Sequence, residues 1–154
     1  MKAKTLITFD DVWQPPDAEG RQLKKSGNEI MDKYLSLVRA NYTANLGEYA
    51  GMMRGTATEL KVLTNYFTGQ SPQKWREDIL LHDAKWYLLH TDMHVHEVAA
   101  KMNFAVHQGF TLFFKRKAGL SPKAYRAMYR EKIPTYRIVI HEDPSMHATT
   151  PRKA

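Results

Sequence analysis

The sequence predicts an all-α fold of two helix-turn-helix subdomains joined by a long linker helix. Three observations carry that prediction: apolar residues recur at helical spacing, helix start and stop signals bracket them, and one phrase is duplicated. Thr68-Gly69-Gln70-Ser71-Pro72-Gln73-Lys74-Trp75 returns fifty residues later as Ala118-Gly119-Leu120-Ser121-Pro122-Lys123-Ala124-Tyr125. Upstream, Leu60 and Leu63 match Phe110 and Phe113 at the same offset, while Ala50 and Met53 match Ala99 and Met102 at an offset of 49. Aligned apolar positions on either side of a turn describe two similar helical units of about fifty residues.

Residues 1–27 read as an N-terminal arm, with Thr5–Phe9 extended and Pro15, Pro16 and Gly20 interrupting regular structure. The folded domain spans 28–132. Ser26 and Glu29 make an S-x-x-E capping box, and Ile30, Tyr34, Leu37, Val38 and Asn41 follow on one face of a helix over about 28–42. The first helix-turn-helix occupies about 44–69: Leu46, Tyr49, Ala50 and Met53, a break at Gly55, then a Thr56–Glu59 capping box and a helix bearing Leu60, Leu63 and Phe67. Gly69 ends it. Ser71 caps the linker helix over 72–89, with Pro72 at the first helical position, where its missing N–H has no partner to lose. Trp75, Ile79, Leu80, Ala84, Tyr87 and Leu88 form its buried stripe.

The second helix-turn-helix, about 94–119, repeats the plan. Val95, Val98, Ala99 and Met102 line one helix, Asn103 and Phe104 make the turn, and Phe110, Phe113 and Phe114 line the next, which Gly119 ends. Ser121 and Pro122 open a last helix over 121–130, and 133–154 form a C-terminal tail in which Tyr136, Ile138 and Ile140 alternate as in a strand.

Lys and Arg number 23 against 16 acidic residues, a formal net charge of +7. The excess is local. Between Val106 and Arg137 stand Lys115, Arg116, Lys117, Lys123, Arg126, Arg130, Lys132 and Arg137 against Glu131 alone, so this stretch accounts for the whole imbalance. A basic face of that kind suits a phosphate backbone, though a solvated helix surface or an acidic lipid contact has the same composition. The absence of cysteine removes disulfides, thiolate metal sites and a cysteine nucleophile, and fits a reducing, cytoplasmic setting. No apolar run approaches the roughly 18–20 residues that span a bilayer. His96-Glu97 begins like the H-E-x-x-H zinc motif, but Ala100 replaces the second ligand. His90, His94 and His96 read as surface histidines, no phosphate loop or nucleophile elbow is present, and an enzyme is not expected.

Tyr49-Ala50, Met53, Thr56, Leu60, Leu63, Thr68-Gly69, Ser71-Pro72 and Trp75 resemble the first helix-turn-helix of the AraC/XylS family of bacterial transcription regulators. Glu97-Val98-Ala99, Met102-Asn103-Phe104, Phe110, Phe113-Phe114-Lys115 and Gly119-Leu120-Ser121-Pro122-Lys123-Ala124-Tyr125-Arg126 resemble the second. The resemblance implies a sequence-specific regulator that reads two successive major grooves of double-stranded DNA, without a cofactor, catalytic residue or metal, and with RNA polymerase as a further candidate partner. It places Thr58, Lys61, Val62 and Asn65 of the first recognition helix and His107, Gln108, Thr111 and Leu112 of the second toward base edges. Lys115, Arg116, Lys123 and Arg126 are expected on phosphates. Val62 and Leu112 stand where the family often carries arginine, which points toward A·T-rich sites. A protein-interaction module with the same fold and degraded DNA specificity is the alternative. About forty residues precede the resemblance, too few for the sensing domain that family members often carry.

Overall fold

A computed structural model describes residues 6–16 and 22–130 as eight helices, and no strand occurs among them. In chain order these are α1 (Phe9–Val12), α2 (Glu29–Ala40), α3 (Leu46–Met52), α4 (Ala57–Thr68), α5 (Pro72–His90), α6 (Val95–Lys101), α7 (His107–Ala118) and α8 (Pro122–Arg130). The alternating residues Tyr136, Ile138 and Ile140 lie outside the described part of the chain.

Local chemistry sets most of these boundaries. Thr56 Oγ1 accepts from Glu59 N at 3.1 Å while Glu59 Oε1 accepts from Thr56 N at 2.9 Å, the reciprocal capping box expected there. Ser71 and Ser121 cap α5 and α8 through bonds of 3.1 Å to the amides of Lys74 and Ala124. Gly69 and Gly119 end α4 and α7 at φ of 75° and 83°, a left-handed conformation that only glycine adopts without a steric penalty. The start of α2 departs from expectation. Gly27, at φ 94°, turns the chain after Ser26, so Asn28 becomes the cap and accepts from Met31 N at 3.0 Å. Ser26 instead donates its hydroxyl to Asp32 at 2.8 Å, and Glu29 occupies the first helical position rather than the third.

Helix α5 is the axis of the molecule. Trp75, Ile79, Leu80, Ala84 and Leu88 are buried along it, and α2, α4, α6, α7 and α8 all pack against it. Met31, Tyr34, Leu35 and Val38 from α2 join Tyr49 and Ala50 from α3 in the first half of the core. Val98, Ala99 and Met102 join Phe110, Phe113 and Phe114 in the second half. On α4 the buried places go to Leu60, Thr64 and Thr68, while Leu63 and Phe67 are half-buried.

The arm is held against the helices. Ile7 N donates to Phe67 O at 3.0 Å at the end of α4, the Phe9 ring lies 4.5 Å from His82 and 6.1 Å from Trp75, and Val12 is fully buried. Trp13 then donates its indole N–H to Asp83 Oδ1 at 2.8 Å. Asp83 is 0 % exposed and collects three further donors: Arg39 Nη2 at 2.5 Å, Arg39 Nε at 2.9 Å and Tyr42 Oη at 2.5 Å. Arg39 also donates to Gln14 O at 2.9 Å. Burial, then the neighbouring carboxylate, pushes the Tyr42 hydroxyl far above its ordinary range, so it stays a donor. One carboxylate on α5 thereby joins the arm, the end of α2 and the loop after it.

Breaking a buried ion pair from one side leaves the other charge stranded. Asp83→Ala is expected to destabilise the fold by about 3–5 kcal/mol in urea denaturation, against about 1 kcal/mol for Trp13→Phe, which removes one hydrogen bond. Comparable midpoints for the two variants would mean that Asp83 does not organise this region. In the second half, Phe110→Ala should cost about 3–5 kcal/mol through the cavity it leaves, and a loss below about 1 kcal/mol would contradict its packed position.

Candidate nucleic-acid interface

Two helix pairs, α3–α4 and α6–α7, share one turn geometry. Arg54 and Asn103, 49 residues apart, are the two described non-glycine residues with positive φ, at 61° and 65°. The next amide in each turn reaches back to the same place, Gly55 N to Ala50 O at 2.8 Å and Phe104 N to Ala99 O at 3.0 Å. Four residues separate α3 from α4 and five separate α6 from α7, which is where the repeat changes its offset from 49 to 50. The second turn also ties its unit to the loop that leads into α3: Asn103 Oδ1 accepts from Tyr42 N, and Asn103 O from the Thr43 hydroxyl, both at 3.0 Å.

The outer faces of α4 and α7 hold the expected base-facing residues. Thr58, Lys61, Val62 and Asn65 are all exposed on α4. On α7, His107, Gln108 and Leu112 are exposed; Thr111 is half-buried, with its hydroxyl 3.4 Å from His107 Nε2. Asn65 is exposed and donates its side-chain N–H to Lys61 O at 2.9 Å, which leaves its amide oxygen available to accept. Tyr66 and Val106 share this exposure and were not anticipated, although Tyr66 falls one turn beyond Val62.

The basic stretch is less free than its composition suggests. Lys117 bridges to Glu77 on α5 at 2.6 Å, and Arg130 pairs with Asp92. Arg126, expected on phosphate, turns inward: Nε donates to Leu88 O at 2.9 Å and Nη2 to Thr91 O at 3.3 Å, closing the C-terminal end of α5. A helix end with unsatisfied carbonyls attracts a guanidinium as a phosphate does. Lys115, Arg116 and Lys123 are exposed and appear in no ion pair among the described residues, with Arg116 lying 5.7 Å from the Phe113 ring. Burial raises the Glu77 carboxyl, but the hydrogen bonds from Lys117 and Gln73 outweigh it and hold the group below its ordinary value. The bridge that steadies the back of α7 is therefore present at neutral pH and lost as pH falls through that lowered value.

Glu97 accepts from His94 N at 2.7 Å as the cap partner of α6, a structural use of the residue that opened the zinc-like motif. No group of three metal-ligating side chains occurs among the described residues. A family model described as a helix-turn-helix domain, the AraC type, matches residues 49–128. The chain belongs to the AraC-type helix-turn-helix family. This is a family of DNA-binding transcription regulators and not of enzymes. Two solved structures show the shared fold. The C-terminal domain of AraT, a response regulator from Geobacillus stearothermophilus, superposes with a TM-score of 0.60 at 20% identity, covering 76% of this chain and 97% of that one. An AraC-type regulator from Chromobacterium violaceum gives 0.58 at 18%, covering 71% and 100%. The DNA-binding domain of AdpA, a global transcriptional factor solved in complex with a target DNA, gives 0.59 at 25%, covering 69% and 94%. No curated protein matches the chain. None of the described helices is long and apolar enough to cross a membrane.

Arg126→Ala should lower stability by about 1–3 kcal/mol by uncovering the α5 carbonyls, whereas Lys123→Ala should stay within about 0.5 kcal/mol of the parent. Thermal melts of the two variants give the comparison, and equal melting temperatures would place Arg126 back among the free cations.

Proposed function

We propose that this AraC-type domain binds duplex DNA sequence-specifically, with α4 and α7 entering successive major grooves on one face. The observation that carries this reading is the pair of exposed polar helix faces at equivalent positions of a duplicated helix-turn-helix. Helix α5 has 19 residues, so it extends about 28 Å, comparable to the ~34 Å between groove openings on one side of B-DNA. The likeness to the AdpA domain, a protein solved in complex with a target DNA, supports DNA as the partner.

In this arrangement Gln108 suits adenine, to which it can bond twice, and Lys61 suits guanine O6 and N7. Thr58, Asn65, His107 and Thr111 supply single donors or acceptors at base edges. Lys115, Arg116 and Lys123 contact phosphate, and Arg126 drops out of that set because its guanidinium closes α5. Three phosphate contacts neutralise about three charges, so log K should fall against log salt with a slope of about −3.

Base reading and charge attachment separate cleanly in two variants. Gln108→Ala should weaken the preferred duplex by about 1–3 kcal/mol and leave random duplex nearly unchanged. Lys115→Ala should weaken both alike and make the salt slope shallower by about one. Fluorescence anisotropy across a salt series reads both quantities, after circular dichroism has shown each variant to be helical. Unchanged preference in Gln108→Ala, or no salt dependence in the parent, would count against DNA reading and in favour of a protein-interaction module.

A further inference from the structure

The four most exposed large apolar side chains among the described residues are Leu112 at 68%, Tyr66 at 61%, Val62 at 60% and Val106 at 59%. All four lie on α4, on α7 or at the N-cap of α7. Val62 and Leu112 stand fifty residues apart, the spacing that relates α4 to α7, so they occupy the same outward position in the two units. A side chain left in water adds no burial to the fold, so an apolar pair repeated at matched sites of the two outer helix faces is available to an apolar feature of whatever those faces meet. The polar neighbours along these faces, Lys61 and Asn65 on α4 and Gln108 on α7, suit base edges. In a major groove the apolar feature of a base edge is the C5 methyl group of thymine.

Resting on the reading of α4 and α7 as groove-entering helices, we propose that Val62 and Leu112 are paired thymine readers. Each covers the methyl of one thymine, and the two thymines lie one helical turn apart, about 10 base pairs. Discrimination at these two positions is steric and apolar, and hydrogen bonding by the neighbours sets the flanking bases. The chemistry extends to any pyrimidine with a C5 methyl: 5-methylcytosine presents the same group, and uracil lacks it.

The test uses the full chain and a preferred duplex selected from a random pool, in which each thymine is replaced singly by deoxyuridine. Pairing is kept and one methyl is removed. Two positions about 10 base pairs apart should each weaken binding about fourfold, one buried methyl being worth about 0.8 kcal/mol and a tenfold change about 1.4 kcal/mol. Val62→Ala should abolish the uracil effect at one position only, and Leu112→Ala at the other. Both residues are exposed, so the variants keep the fold. Tolerance of uracil at every position by the parent overturns the proposal while leaving DNA binding intact. So does a uracil effect that neither variant alters. A pool from which no duplex is retained overturns the DNA reading itself, and this proposal with it, and leaves a protein as the partner that covers these faces.

Discussion

A single buried carboxylate constrains this molecule more than any other group. Asp83 sits in the middle of α5 with no access to solvent, a position that an unpaired charge could not hold. Its two oxygens are shared among an indole, a guanidinium and a phenol, each from a different stretch of chain. The end of α2, the loop that leads to α3 and the N-terminal arm are therefore positioned by one point on the linker helix. The pairing does not guarantee a large net stabilisation, since apolar replacements of buried ion pairs are often as stable. What it imposes is geometry: the four groups satisfy one another in one arrangement, and any slip of α2 along α5 leaves a charge unsatisfied.

The second constraint is electrostatic. Sequence composition concentrates the entire net charge in one stretch, yet folding commits Lys117, Arg126 and Arg130 to carboxylates and helix carbonyls. Among the described residues of that stretch, Lys115, Arg116 and Lys123 remain exposed and outside ion pairs. With Lys117, Arg126 and Arg130 committed, α7 and α8 draw less of any affinity from the phosphate backbone, and more of the discrimination then rests on what the outer faces of α4 and α7 touch. Exposed apolar residues on those faces fit that balance.

How much of this was legible in the sequence follows from the range of each signal. Thr56 with Glu59, Ser71 with Pro72, and Gly69 act within four residues, so their roles could be read directly, and the fifty-residue repeat exposed the two-unit plan. Ser26 and Glu29 had the right spacing, but the same stretch offers Asn28, and Gly27 decides between them through its backbone conformation, which spacing does not encode. The arm could not be placed because its partners Trp75, His82 and Asp83 lie some seventy residues away, and a lone Trp13 carries no sign of which carbonyl or carboxylate it will meet. Arg126 was read toward phosphate because a basic residue in a basic stretch looks the same whether its target is a ligand or a helix end. The outward residues of each recognition helix were named through the family resemblance, while the degree of exposure at Val62 and Leu112 needed the packed structure.

The hook from Ile7 to the last turn of α4 has a consequence for modularity. The stretch that matches the family begins at residue 49, but the stretch that packs as one body begins at least forty residues earlier. What is inherited as a recognisable unit and what folds as a unit do not coincide here. A fragment trimmed to the family's borders would lose Phe9, Val12 and Trp13 along with Arg39, leaving Asp83 charged and uncovered. In this chain the stretch before the first helix-turn-helix is part of the wall behind a recognition helix.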